Sequence, residues 1–124
     1  AGPYQIQAAV AALHADAETD WREIAALYGR LAKLTPSPVV ELNRAVAVAM
    51  ADGPERGLEL VDPLAGDLGS YHLFHSARAD LLRRLGRHDE AAAAYRRALD
   101  LAEEPVERSF LERRLAEASA AARD

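Results

Sequence analysis

Leu85-Gly86-Arg87-His88-Asp89-Glu90-Ala91, followed by Tyr95, Ala98 and Leu99, is the stretch on which the reading of the whole chain turns. Gly86 enters the left-handed backbone region without steric penalty, so it ends a helix there. Asp89 and Glu90 then place negative charge where a helix begins, and Ala91, Tyr95 and Ala98 recur at the spacing of one helix face. Upstream, Tyr71 to Leu85 carries apolar residues at the same period. The sequence therefore predicts two amphipathic helices, over 71–85 and 89–101, folded back on each other at Gly86.

The same pattern recurs towards the N-terminus. Ala12, Ala45 and Ala79 stand 33 and 34 residues apart, as do Ile24, Gly57 and Ala91, and again Tyr28, Val61 and Tyr95. A period in this range marks stacked helical hairpins, each burying its apolar face on its neighbours. Capping residues agree with the phase. Pro3 opens a first helix, and Asp20 with Glu23 starts a second that runs to Leu34. Ser37-Pro38 supplies an N-cap and a first-turn proline for a third, ending near Ala51. Asp52-Gly53-Pro54 turns into a fourth, which Pro63 cuts short, so 63–70 is expected to be a loop. Glu104-Pro105 starts a seventh helix reaching about residue 121.

Composition supports helices packed through small side chains: 28 Ala and 17 Leu in 124 residues, with aromatics at 6%. The length suits a single domain. Cysteine is absent, which excludes disulfide scaffolds, zinc ribbons and thiol nucleophiles. That absence fits a cytoplasmic origin best, and with no apolar run near the ~20 residues of a membrane span and no basic-then-apolar signal pattern in the sequence, a soluble protein is expected. Ala1 in place of Met suggests either a segment of a longer parent or the scar of a tag. The net charge of −5 is uneven, with five bases against ten acids over 1–69 and ten of each over 70–124. The first half is thus no phosphate-backbone surface, and a basic protein partner suits it better.

The period and the helix-turn-helix centre at 85–99 resemble the tetratricopeptide repeat. The resemblance implies an all-α, right-handed helical solenoid of about seven helices: repeats over about 3–36, 37–69 and 70–104, and a capping helix over about 105–121. Longer runs carry a narrower resemblance. Gly2-Pro3-Tyr4-Gln5-Ile6-Gln7, Pro36-Ser37-Pro38-Val39-Val40 with Leu42-Asn43-Arg44-Ala45-Val46-Ala47-Val48-Ala49, and Ala77-Arg78-Ala79-Asp80-Leu81-Leu82-Arg83-Arg84-Leu85-Gly86-Arg87 are similar to the C-terminal extension of a group of bacterial extracytoplasmic-function sigma factors. That resemblance implies a regulatory, protein-binding extension. Its partners would be the parent's own sigma regions, RNA polymerase, or a small YCII-related protein. The alternative is a stand-alone scaffold that captures a peptide or helix of an unrelated partner.

No enzyme is expected. Serines lack a nucleophile elbow and glycines never form a phosphate cradle, so no catalytic residue and no cofactor is assigned. His72 and His75 sit three apart, but no second histidine pair completes a metal site. His72, Ser76, Asp80 and Arg84 form a polar stripe at intervals of four, read either as a partner-binding face or as a solvated one with an Asp80–Arg84 ion pair. Asn43 is the polar residue among Leu42, Val46 and Met50, and either bonds a neighbouring helix or faces a groove. Leu13, Leu42, Val46 and Leu73 would line that groove. Tyr4 and Gln5 either cap the first helix or meet an upstream domain. The five positions at which related repeats hold a carboxylate tail fall on Ala9, Leu13, Asn43, Leu73 and Ala77, which rejects that clamp. The arginine pairs 83–84, 96–97 and 113–114 sit near helix ends or on outer faces, so direct nucleic-acid binding is not expected.

Overall fold

Residues 20–124 are described by the computed structural model, and every regular element among them is helical. Helix α1 spans Trp21–Leu34, α2 Pro38–Asp52 and α3 Pro54–Val61. A 3-10 turn over Asp62–Leu64 leads into the four-residue α4, Ala65–Leu68. Helices α5 (His72–Arg84), α6 (His88–Leu101) and α7 (Pro105–Arg123) follow. These elements form two compact units divided at Val61/Asp62. The fold is all-α and tetratricopeptide-like. The first expected helix, with Tyr4, Gln5 and Leu13, lies outside the described residues.

Helix ends fall where short polar side chains satisfy free backbone donors. Glu23 N–H donates to Asp20 Oδ1 at 3.2 Å, and Val39 N–H donates to Ser37 Oγ at 3.2 Å. The Glu104 carboxylate accepts from Val106 and Glu107 N–H at 3.1 and 2.8 Å. Gly86 adopts φ 77°, and the N–H groups of Gly86 and Arg87 donate to the carbonyls of Arg83 and Leu82. This is a Schellman closure, as its position after a helical run predicts. Helix α6 ends differently: Arg108 Nη1 donates to the carbonyls of Leu99 and Ala102 at 2.6 and 2.8 Å.

Every described member of the three repeat sets is buried. In the first unit Ile24, Tyr28 and Leu31 of α1 pack on Val40 and Ala47 of α2, flanked by Trp21, Ala25, Leu27 and Ala32. The opposite face of α2 meets α3, where Gly57 lies against Ala49 and Ala45. Helix α2 thus buries two faces. In the second unit α6 packs against both α5 and α7. It buries Ala91, Ala94, Tyr95 and Ala98, while Phe74, Leu81 and Leu82 of α5 and Leu111 of α7 are also buried.

Two expectations need correction. The stretch 63–70 is not a loop: a 3-10 turn carries Pro63, and α4 buries Leu68. Proline removes one donor but its fixed φ suits a first helical turn, so it ends α3 without ending helical structure. Asp80 accepts from Arg83 Nη2 at 2.6 Å, an i,i+3 pair, where the stripe had suggested Arg84.

Burial pushes the phenols of Tyr28 and Tyr95 above the usual tyrosine range; at Tyr95 the Arg83 guanidinium pulls in the other direction. An unfolded chain releases these protons near pH ~10, whereas the folded one holds them longer. Between the two values the folded state binds more protons, so stability is intact below about pH 10 and falls as pH rises further. Absorbance at 295 nm followed with far-ultraviolet circular dichroism should show the Tyr28 and Tyr95 phenols ionising only as helix is lost. Ionisation of both ahead of any helix loss would contradict the burial of these phenols.

Candidate functional site

Because α2 is held between α1 and α3, its remaining surface is two narrow strips. One carries Val39, Asn43, Val46 and Met50, spaced four, three and four apart and so aligned along the helix. Val39 and Met50 are exposed, while Asn43 and Val46 are half-buried. Among the described residues the Asn43 amide has no hydrogen-bond partner, so a structural bond to a neighbouring helix is not found there. Leu42 is only 3% exposed and belongs to the core, so it lines no groove.

The polar stripe of α5 is largely engaged within its own unit. His72 Nδ1 meets the Glu107 carboxylate of α7, a half-buried pair that ties α5 to the start of α7. Ser76 Oγ donates to the Leu73 carbonyl at 3.3 Å, and Asp80 holds Arg83. Arg84 is exposed, and so is Leu73, one position after His72. His75 Nε2 lies 2.7 Å from the Gly69 carbonyl, and its ring packs edge-on against Phe74. Among the described residues no three metal-ligating side chains gather. Glu107 escaped the sequence reading because its contact with His72 closes across 35 residues, which no local spacing reveals.

A third feature went unread for the same reason. A cavity of about 440 Å³ opens on the α1–α2 hairpin, lined by Ala26, Gly29, Arg30, Ala32 and Lys33 of α1 and by Glu41 and Arg44 of α2. It uses the strip of α2 opposite Asn43 and Val46. The one available signal was Lys33, the sole lysine among fifteen basic residues.

Residues 72–105 match the tetratricopeptide repeat family, a segment that is α5 and α6 with the first residue of α7. A protein of Rhizobium meliloti (strain 1021), itself named as uncharacterized, is 52% identical over 118 residues. That alignment covers 92% of this chain and 28% of the relative, so the chain spans under a third of that protein's length. Tetratricopeptide repeats imply a protein-interaction domain, and their all-helical hairpins typically serve as scaffolds without catalytic machinery. No helix among the described residues is long and apolar enough to cross a membrane.

Proposed function

We propose that this chain is a protein-docking segment that regulates transcription as the C-terminal extension of an extracytoplasmic-function sigma factor. The observation that carries the docking part is the coincidence of the matched repeat, 72–105, with the α5–α6 hairpin. The long relative, of which this chain matches 28%, supports a module within a larger protein. The sigma-factor part is supported by the resemblance of 36–49, which forms the N-cap and body of α2, and of 77–87, which forms the end of α5 and its turn. On this reading the partners are the sigma regions of the same protein, RNA polymerase or a small YCII-related protein, and the setting is the cytoplasm. The docking residues are Asn43 and Val46 on α2 and His72, Ser76, Asp80 and Arg84 on α5, with Tyr4, Gln5 and Leu13 completing the set.

The test is promoter-specific transcription by polymerase with the whole factor, comparing wild type with Val46→Glu and Arg84→Glu. Each change is expected to shift output about fivefold or more, the effect of roughly 1 kcal/mol at a docking contact. Unchanged output in both variants with polymerase binding intact overturns the assignment of these residues. Absence of sigma regions from the gene overturns the sigma reading and leaves the scaffold.

A further inference from the structure

We propose that the α1–α2 hairpin carries a binding site for a phosphate monoester, in which Arg30, Lys33 and Arg44 hold the phosphate and Glu41 accepts from a hydroxyl of the same ligand. The inference does not depend on the sigma-factor reading. It starts from a charge anomaly. Residues 20–61 contain five bases and six acids, yet three of those five bases line one cavity with a single acid. Among the described residues the lining therefore carries three positive charges and one negative, a local surplus of two in a chain whose net charge is −5.

Five arginines elsewhere are paired with carboxylates. Arg56 meets Glu59, Arg78 meets Asp62, Arg83 meets Asp80, Arg87 meets Glu90 and Arg114 meets Glu117, all at 3.3 Å or less. Arg30 and Lys33 have no carboxylate partner among the described residues, and Arg44 reaches Glu41 only at 3.7 Å. A cation near the C-terminus of α1 is favoured by the helix dipole, which accounts for Lys33 alone. It does not account for Arg44 arriving from α2. Like charges brought together in a cleft focus a positive potential that an anion relieves.

The lining also favours a small phosphate ligand over a protein surface. The volume lies within the ~300–1,000 Å³ range of small-molecule sites. Two guanidinium forks and one ammonium are the donor set that suits a dianionic phosphate. Gly29 adds no side chain to the cleft, where a Cβ would make ordinary contact with Arg44 Nε at 3.8 Å. Ala26 and Ala32 add little bulk on either side. Glu41 would repel a second anionic group, which selects a phosphate attached to a neutral, hydroxyl-bearing body.

The test is calorimetric titration of the 124-residue chain with glucose 6-phosphate, inorganic phosphate, glucose and tetraglutamate. Glucose 6-phosphate is expected to bind and glucose not to bind. Arg30→Gln and Lys33→Gln should each weaken the affinity about tenfold, equivalent to about 1.4 kcal/mol, with helix content unchanged because both side chains are exposed. Gly29→Leu, which fills the cleft while favouring helix, should abolish binding. Reductive 13C-methylation offers a second readout, since the sole lysine gives one side-chain resonance that should shift on titration. Inorganic phosphate binding as tightly as the sugar phosphate supports the site and identifies the free ion as its source; preference for the ester identifies an organic source. No binding of either compound at about 10 mM overturns the proposal, a limit that corresponds to roughly 3 kcal/mol. So does affinity that survives both charge changes, or tighter binding of tetraglutamate, which would make an acidic peptide the occupant.

Discussion

Tyr95→Ala is expected to destabilise the second unit by about 3–5 kcal/mol, a large share of the total stability of a chain this size. The side chain is 1% exposed on α6, the helix that packs against both α5 and α7. Truncation would open a cavity in a unit where α6 packs between α5 and α7, and the surrounding side chains would fill it only in part. The hydroxyl contributes differently. It is shut off from solvent and reaches no partner at hydrogen-bond geometry, although the Arg83 guanidinium lies nearby. Tyr95→Phe should therefore remain within about 1 kcal/mol of wild type and fall on the stable side, since a buried unsatisfied hydroxyl is removed. Urea unfolding of the two variants separates the contributions of ring and hydroxyl. If phenylalanine destabilises as much as alanine, the hydroxyl is bonded and the packing account is wrong.

Gly57→Ala is the second large effect, expected at about 3 kcal/mol in the destabilising direction. By helix propensity alone the change should stabilise by about 1 kcal/mol. Packing reverses the sign. A Cβ at Gly57 would sit 2.3 Å from Ala49 Cβ, 3.0 Å from Ala49 Cα and 3.2 Å from the Ala45 carbonyl, so α2 and α3 would have to move apart. Two of these three contacts are backbone atoms, which no rotamer change relieves. Gly66, in α4, is the control: nothing lies within 4 Å of its added Cβ, and Gly66→Ala should stabilise by about 0.4–1 kcal/mol. Opposite signs in a paired thermal melt bear the account out. A neutral or stabilising Gly57→Ala would mean that α2 and α3 do not approach this closely.

The repeat was legible in the sequence because its physics is local and periodic. Tyr28, Val61 and Tyr95 lie on equivalent faces, and their spacing alone identified three buried positions. Gly86 was legible because few residues but glycine accept a φ of 77°. The helix after Pro63 was not, since a proline read as a stop also fits a first turn. Leu42 was misplaced because one apolar stripe per helix was assumed, whereas α2 is covered on two sides. Asp80 had arginines at both i+3 and i+4, and spacing does not choose between them. The His72–Glu107 pair and the convergence of Arg30, Lys33 and Arg44 are tertiary. Each needs the path of a turn before its members can be seen as neighbours.

Arg108 ends α6 with a side chain from α7. No glycine closes that corner, so the last carbonyls of α6 lose their partner whenever α7 lifts away. Deuterium uptake at Leu101 and Ala102 therefore reports the opening of a helix to which neither residue belongs. A molecule that grips α7 would slow exchange at those two amides, making them a remote gauge of whatever the terminal helix holds.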